Sequence, residues 1–186
     1  VIPDLQLLQN GQCFPLYYYE KNERNMDDLF ENFNDNYIKK DGITDFILNQ
    51  CRERYSHKVT KEDIFYYVYG LLHSKEYRTQ FAADLKKMLP RIALVDIPND
   101  FFAFSKAGKE LADLHLNYET APPYPDVEII GEEKGNLRVE KIVFAKKDGE
   151  VDKTTLIYNS SIKITNIPLE AYDYVINGRS AIEWIM

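Results

Sequence analysis

The sequence has few of the residues that build disulfide or metal sites. Its 186 residues include two cysteines, Cys13 and Cys51, and three histidines, His57, His73 and His115. Two thiols do not make a disulfide framework, and no H-x-x-x-H or C-x-x-C pair indicates a metal site. Free thiols are typical of a reducing compartment. We therefore expect a cytoplasmic protein without a structural metal.

Long apolar runs and common catalytic motifs are also missing. No apolar stretch approaches the ~20 residues that span a bilayer, and the N-terminus lacks a signal-peptide pattern, so we expect no membrane partner. Neither a G-x-x-x-x-G-K-[ST] phosphate loop nor a G-x-S-x-G nucleophile turn occurs. We expect no catalytic residue and no cofactor in this chain. Because it begins with Val1 rather than Met, we interpret it as a fragment of a longer protein.

Apolar and aromatic residues are abundant enough to build a folded core. Hydrophobic residues make up 45% of the chain and aromatic residues 13%, which argues against a disordered tail. The length suits one domain spanning residues 1–186. The APPYP sequence at 121–125 interrupts regular structure and divides the chain into two possible lobes. We expect a mainly helical lobe at 1–120 and a β-rich lobe at 126–186.

The first lobe shows helix start signals followed by apolar residues at helical spacing. Thr60 and Asp63 resemble a capping box, and Ser74 can cap the next helix. The predicted elements are a strand over 14–20, helices starting after Thr44, Thr60 and Ser74, a strand over 92–97 and a helix over 105–118. The apolar faces of these helices include Phe46, Ile47, Cys51, Ile64, Leu71, Phe81, Leu85, Leu114 and Tyr118.

The second lobe changes to the two-residue alternation of strands. LRVEKIVFA at 137–145 alternates, Asp148-Gly149 predicts a hairpin turn, and strands follow in KTTLIYN and SIKITNI. Pro168 can open a helix, and Ser180 with Glu183 forms a second capping-box pattern. Together these patterns predict an α+β fold. Its helical N-terminal two-thirds would pack with a small, mostly antiparallel sheet, and its β-rich C-terminal part would end in helices.

Charge is distributed unevenly along the chain, although the net charge is −7. Residues 51–91 carry 9 basic and 5 acidic side chains, whereas both flanking regions are acidic. Such a basic region is the footprint of a nucleic-acid contact, but helix surfaces often show similar excesses. The candidate DNA-contacting residues are Arg52, Arg54, Lys58, Arg78, Lys106, Lys146 and Lys147.

Two readings stay open for these basic residues. Arg52 and Arg54 lie near a helix C-terminus, where the helix dipole and solvent account for them. They could equally make bidentate contacts to phosphate or guanine. Lys146 and Lys147 precede the predicted turn and could enter a DNA groove at a hairpin tip, or simply be lysines at an exposed turn.

The aromatic stretch EDIFYYVYGLLHSKEYR at 62–78 also admits two readings. Exposed tyrosines beside arginine and lysine are what base stacking uses. Tyrosines in a core helix instead pack their rings and keep their hydroxyls hydrogen-bonded. The wide apolar face of the stretch favours a core helix that organises a DNA-facing surface without touching bases.

Several runs taken together resemble one protein family. They are ITDFILNQCRERY, VTKEDIFYYVYGLLHSKEYR, FAADLKKMLPRI, FSKAGKELADLHLNYE and IPLEAYDYVINGRSAIEWIM, which follow in order across residues 43–186. They resemble the C-terminal specificity region of type ISP restriction–modification enzymes, with RIAL at 91–94 where the family more often has Arg-Ile-Pro. The family gives no residue-level recognition code that transfers to this chain.

The resemblance implies the target recognition domain of a bacterial single-chain enzyme. That enzyme would join a nuclease, a helicase-like motor and an adenine methyltransferase, and would use ATP, Mg²⁺ and S-adenosylmethionine outside this fragment. The expected partners are double-stranded DNA and, within the same chain, the methyltransferase and motor domains. The fragment itself would be non-catalytic. The alternative is a protein docking module that contacts the methyltransferase and motor without reading DNA.

Overall fold

The computed structural model describes residues 13–21, 37–131, 137–176 and 178–186. The chain divides into two compact units, Val1–Thr120 and Ala121–Met186, and the boundary falls directly before Pro122 and Pro123. Each unit has its own secondary structure and is considered separately. No helix in the described part of the chain is long and apolar enough to cross a lipid bilayer.

The described residues of the first unit form a two-stranded antiparallel sheet and five helices. The strands are β1 (Tyr17–Lys21) and β2 (Tyr37–Asp41). The helices are α1 (Asp45–Arg54), α2 (Lys61–His73), α3 (Lys75–Gln80), α4 (Ala82–Leu85) and α5 (Pro98–Leu116).

The predicted start signals of α2 and α3 are present as side-chain hydrogen bonds. The Thr60 hydroxyl accepts from the Asp63 backbone N–H, and the Asp63 carboxylate accepts from the Thr60 backbone N–H at 2.9 Å. Ser74 accepts from the backbone N–H of Tyr77. These bonds satisfy N–H groups that the first turn of a helix leaves without partners.

The second unit is built on a four-stranded antiparallel sheet in the order β3-β6-β5-β4. Its strands are β3 (Glu128–Ile130), β4 (Val143–Lys147), β5 (Glu150–Ile157) and β6 (Lys163–Thr165). A 3₁₀ turn (Leu169–Tyr172), a short β7–β8 pair (Val175–Ile176 and Arg179–Ser180) and α6 (Ala181–Ile185) follow.

Two local predictions for the second unit are confirmed. Asp148 and Gly149 both have positive φ, at 52° and 87°, as a tight turn between β4 and β5 requires. Ser180 and Glu183 form the expected capping box at the start of α6. Backbone and side-chain hydrogen bonds from Ser180, then the Lys153 ammonium, lower the pKa of Glu183 to about 2. The Glu183 side chain is therefore held as a carboxylate at neutral pH.

The predicted fold class is wrong. An α+β fold with a helical N-terminal two-thirds was expected, but the described residues form a mixed α/β structure. Two strands precede helices α1 to α5, and the other strands and α6 follow them. Among the described residues, the first unit opens with β1, where a strand over 14–20 was expected. β1 pairs with β2 at residues 37–41, a strand that the sequence did not predict. The expected strand over 92–97 is absent, so no sheet lies there for the helices to cover.

Residues 91–95 are held by tyrosine hydroxyls instead of by a neighbouring strand. The hydroxyl of Tyr77 donates to Arg91 O at 2.7 Å, and that of Tyr67 donates to Ala93 O at 2.6 Å. Tyr55 donates to Val95 O at 2.6 Å. Every second backbone carbonyl of the segment thus accepts a hydrogen bond from a tyrosine hydroxyl. The three tyrosines lie at the end of α1, on α2 and on α3. We call this arrangement the tyrosine ladder.

The core of the first unit lies behind the tyrosine ladder. Cys51, Val59, Tyr67 and Phe101 are completely buried, and the Tyr67 and Phe101 rings stack with centroids 4.8 Å apart. Tyr55 stacks on the other side of Phe101 at 4.3 Å. Burial raises the pKa of Tyr55 to about 12 and also raises the pKa of Tyr67, so both hydroxyls keep their protons and act as donors.

Three residues assigned to core faces from sequence lie at the surface. Phe46 is 72% exposed, because α1 turns Leu48 and Cys51 toward the core instead. Leu114 and Tyr118 are also exposed. Helix α5 starts at Pro98, seven residues before the predicted start, and its buried face runs through Phe101, Ser105, Gly108 and Ala112.

Helices α2 and α5 cross at two glycines. A Cβ placed on Gly108 would lie 2.0 Å from Tyr66 O, and one on Gly70 would lie 2.5 Å from Phe104 O. Both obstacles are backbone atoms, which cannot rotate away. The two glycines therefore allow the helices to approach closely enough for Tyr67 and Phe101 to stack.

We expect the substitution Gly108→Ala to lower the free energy of unfolding by about 2–3 kcal/mol, because the methyl group forces the helices apart. Alanine normally stabilises a helix by about 1 kcal/mol relative to glycine. The sign of the change is therefore diagnostic. Urea unfolding monitored by circular dichroism measures it, with Ala107→Gly on the exposed side of α5 as the matched control. Unchanged or increased stability of Gly108→Ala would contradict the close crossing.

The substitution Tyr67→Phe tests the tyrosine ladder. The Tyr67 hydroxyl donates to Ala93 O and accepts from Val95 N–H at 3.2 Å, so its removal leaves two backbone groups without their partner. We expect a loss of about 1–3 kcal/mol of unfolding free energy. Tyr118→Phe, at an exposed position, should change stability by less than about 0.5 kcal/mol. Equal effects of the two substitutions in thermal or urea unfolding would refute a structural role for the ladder.

Candidate nucleic-acid interface

Arg52 and Arg54, at the end of α1, are hydrogen-bonded to the backbone of their own unit. The Nε atom of Arg52 donates to Val59 O at 2.9 Å and so fixes the turn between α1 and α2. Arg54 reaches across to the segment after α4, where its Nε donates to Val95 O at 3.1 Å. Its Nη2 donates to Leu94 O at 3.3 Å.

Arg54 also forms an ion pair with Asp96 at 2.6 Å. Asp96 is almost fully exposed, whereas the Arg54 side chain is 39% exposed. Most donors of this guanidinium are thus directed at residues 94–96. The helix C-terminus explains why a basic residue is favourable here, and the neighbouring tyrosine ladder explains why it must be an arginine with several donors.

The remaining basic candidates of the first unit lie on its exposed surface. Lys58 is in the turn between α1 and α2, where its backbone N–H donates to Ser56 Oγ. Arg78 lies in the last turn of α3. Lys106 lies on α5, with its Nζ 3.9 Å from the Glu110 carboxylate one turn later, and both side chains are largely exposed.

Lys146 and Lys147 belong to the second unit. They form the exposed end of β4, directly before the Asp148-Gly149 turn. The seven candidates therefore fall on both units, five in the first and two in the second. Within the first unit, the structure brings Arg52 and Arg54 together at the end of α1, but it uses their guanidinium groups to hold backbone carbonyls.

The β1–β2 hairpin carries an aromatic and basic surface that the sequence patterns did not single out. In the antiparallel register, Tyr19 lies opposite Lys39, and Lys21 lies opposite Tyr37. Lys39 Nζ also lies 3.5 Å from the centroid of the Tyr17 ring. Side chains opposite one another share a face. We call the face formed by Tyr17, Tyr19, Lys21, Tyr37 and Lys39 the Tyr–Lys face.

The other face of the hairpin has a different character. It carries Tyr18, Glu20, Ile38 and Lys40, and Lys40 forms an ion pair with Glu20. This face is therefore close to neutral. The tyrosines of YYYEK favoured a strand at β1, but the 15 residues between this segment and YIKKD concealed the pairing of the two.

The base of the hairpin is fixed to the start of α2. The Tyr17 hydroxyl donates to Glu62 at 2.7 Å, and this hydrogen bond raises the pKa of Tyr17. Lys61 forms ion pairs with Asp41 at 2.8 Å and with Asp45 at 2.7 Å. These two hydrogen-bonded carboxylates raise the pKa of Lys61. Asp41, opposite Tyr17 at the inner end of the hairpin, is thus paired with Lys61.

Gly42 makes this attachment close. Its backbone N–H donates to Leu16 O at 2.7 Å, and a Cβ there would lie 1.9 Å from Pro15 O. Residues 15 and 16, directly before β1, therefore lie against Gly42, directly after β2. The outer part of the hairpin remains exposed, with Tyr19 and Tyr37 more than 60% accessible.

A second group of polar aromatics lies where the ends of α2 and α5 meet. The Tyr69 hydroxyl and His115 Nδ1 are 2.6 Å apart, and the His73 and His115 rings are 5.5 Å apart. Burial, and then the proximity of His73, lower the pKa of His115, so this imidazole is neutral at pH 7. Among the described residues, no three histidine, cysteine or acidic side chains are arranged to hold a metal ion.

Comparison with protein families gives a match over the whole chain. The model of the Type ISP C-terminal specificity domain covers residues 1–186. A comparison with curated protein sequences found no match.

Three solved structures similar to this chain are complexes with DNA or a DNA mimic. The ATP-dependent Type ISP restriction-modification enzyme LlaBIII bound to DNA shares 42% identity over 92% of the chain, with a TM-score of 0.71. A nuclease-deletion mutant of the Type ISP enzyme LlaGI, in complex with a DNA substrate mimic, shares 43% identity over 79%, with a TM-score of 0.60. A DrdV–DNA complex shares 26% identity over 82%, with a TM-score of 0.67.

The chain corresponds to a small part of these proteins. It spans 10% of the LlaBIII chain, 10% of the LlaGI chain and 16% of the DrdV chain. The family match nevertheless extends from the first residue to the last, and the identity to two Type ISP enzymes exceeds 40%. This chain belongs to the family of Type ISP C-terminal specificity domains of restriction–modification enzymes.

Proposed function

We propose that this domain recognises a specific sequence in double-stranded DNA and presents it to an adjoining adenine methyltransferase. The observation that carries the proposal is the match of the entire chain to a specificity domain whose structural relatives are bound to DNA or its mimic. The basic excess of residues 51–91 supports it, because DNA contacts depend on local charge rather than on the net value.

The domain contributes recognition and no catalytic group in this proposal. Motor, nuclease and methyltransferase would reside in other parts of the same protein and would use ATP, Mg²⁺ and S-adenosylmethionine there. Methylation of an adenine requires that the base leave the helical stack, and a bound recognition domain would hold the flanking duplex in register during that step. A cytoplasmic location remains a prediction.

The contact residues proposed from sequence fall into two groups. Lys58, Arg78, Lys106, Lys146 and Lys147 are exposed and suited to phosphates. Arg52 and Arg54 would have to leave backbone carbonyls to reach DNA. In the proposal, their main role is therefore to fix the backbone of the turn at Val59 and of the segment at Val95, and DNA contact is a secondary role.

A docking role is the second candidate function, and exposed apolar residues of the second unit favour it. Ile129, Ile130 and Val151 are each more than half exposed on or beside the four-stranded sheet. Exposed apolar side chains on a sheet are suited to contacts with other domains. The two functions are compatible, since a recognition domain must also be held against the methyltransferase and motor.

A domain exchange distinguishes the two functions. The segment of LlaBIII that matches residues 1–186 would be replaced by this chain, and the target of the hybrid would be read from its methylated sites. We expect the hybrid to methylate a new sequence, because the exchanged part reads the DNA. An unchanged LlaBIII target in an active hybrid would contradict recognition and favour docking. Reinsertion of the original LlaBIII segment is the control for assembly.

Arg54→Ala separates a folding role from a DNA contact. We expect a loss of about 1–2 kcal/mol of unfolding free energy, because the substitution removes hydrogen bonds to Leu94, Val95 and Asp96. Lys58→Ala, at the exposed turn, should stay within about 0.5 kcal/mol. Denaturant unfolding measures both. If Arg54→Ala leaves stability unchanged but weakens DNA binding, the arginine is a DNA contact and its assigned role is wrong.

A further inference from the structure

The Tyr–Lys face is an exposed aromatic and basic surface in the described part of the first unit, and none of the predicted contact residues lies on it. Its members alternate across the two strands, so that tyrosine faces lysine at both outer positions, Tyr19 with Lys39 and Lys21 with Tyr37. Tyr19 and Tyr37 are 64% and 62% exposed. Large aromatic side chains normally find an apolar neighbour, so two exposed rings on a rigid ribbon require explanation.

The charge of this face selects an anionic partner. Lys39 has its ammonium over the Tyr17 ring, and no carboxylate of the described residues lies within ion-pair distance of it. At the inner end, Asp41 pairs with Lys61, which also pairs with Asp45, and Glu62 accepts from the Tyr17 hydroxyl. The cationic part of the face is therefore its outer part, at Lys21 and Lys39. On the opposite face Glu20 pairs with Lys40, and the charges cancel. The same hairpin thus presents one cationic face and one neutral face.

The shape of the hairpin fits a DNA groove. A two-stranded antiparallel ribbon is narrow enough to enter the major groove of B-DNA, which is about 12 Å wide. Five paired residues extend for roughly 17 Å, about the length of five base pairs. Tyrosine hydroxyls and lysine ammonium groups are donors suited to phosphate oxygens and to acceptors on base edges.

The hairpin is also fixed firmly enough to the rest of the unit to distinguish DNA sequences. Its inner end is tied to α2 by the Tyr17–Glu62 hydrogen bond and by the ion pairs of Lys61. The close contact of Gly42 with Pro15 and Leu16 fixes the strands at the same point. A surface positioned by rigid elements can distinguish base sequences, whereas a freely moving one loses register.

We propose that the Tyr–Lys face is a duplex DNA-contacting surface of this domain, with Lys39 at the phosphate backbone and Tyr19 and Tyr37 in the groove. This inference rests on the proposed recognition function and adds the surface that carries part of it. It places contacts in the β1–β2 hairpin, whereas the sequence patterns placed them at the end of α1, on α3 and α5, and at the β4–β5 turn.

The hairpin offers matched variants for the test, because neighbouring residues point to opposite faces. Lys39→Gln removes a cation from the Tyr–Lys face, and Lys40→Gln removes one from the opposite face. Likewise Tyr19→Ala and Tyr18→Ala remove neighbouring tyrosines from the two faces. The variants would be made in the full-length protein that carries this domain. Binding to its methylation-target duplex and to a scrambled duplex would be measured by fluorescence anisotropy across a series of salt concentrations.

We expect Lys39→Gln to weaken binding to both duplexes by about fivefold and to reduce the slope of log K against log salt by about one. Tyr19→Ala should weaken binding to the target duplex by about fivefold or more and reduce its preference over the scrambled duplex. Lys40→Gln and Tyr18→Ala should each stay within about twofold of the unsubstituted protein. A purely structural effect on the hairpin would not change the salt slope, so the lysine pair decides the question if a tyrosine variant is poorly folded.

Two failures are distinguishable. If the unsubstituted protein prefers its target duplex but Lys39→Gln and Lys40→Gln behave alike, the Tyr–Lys face is not a DNA surface, while the recognition function stands. If the unsubstituted full-length protein shows no preference for any duplex even at low salt, the recognition function fails, and the inference fails with it.

Discussion

The tyrosine ladder is the interaction on which the first unit depends. Tyr55, Tyr67 and Tyr77 donate to carbonyls at positions 95, 93 and 91, and each tyrosine belongs to a different part of the helical layer. A partly buried extended segment needs partners for its polar groups, and normally a neighbouring strand supplies them. Here the hydroxyls take that role. They hold residues 91–95 against the helical layer directly before α5 begins at Pro98.

The sequence predicted those features that local chemistry determines. Both capping boxes, the Ser74 cap and the Asp148-Gly149 turn are present because each depends on residues within four positions of one another. The strand expected at 92–97 failed for a different reason. A short apolar segment is compatible with a strand, but only the tertiary structure shows that tyrosine hydroxyls bind its carbonyls. The β1–β2 pairing was missed because residues 22–36 separate its strands, and register over that distance is invisible in a local pattern.

The candidate site was harder to predict than the fold, because a basic residue is equally suited to a phosphate and to a backbone carbonyl. Arg52 and Arg54 are residue types that often contact DNA, but in this structure their guanidinium groups donate to backbone carbonyls. The Tyr–Lys face gave no signal in the charge count, since residues 1–50 are acidic overall. Its lysines come together only when the two strands pair, and Asp41 then forms an ion pair with Lys61. Recognition surfaces of this kind arise from register rather than from composition.

Hydroxyl-radical footprinting tests the central claim that this domain meets DNA through a defined face of its first unit. The full-length protein would be oxidised with and without its target duplex, and the modification of individual tyrosines would be read by mass spectrometry. The account predicts that DNA protects Tyr19 and Tyr37, while Tyr18, on the opposite face of the same hairpin, stays as reactive as in the free protein. Equal protection of Tyr18 and Tyr19, or no protection of either in a complex that is fully formed, would contradict it.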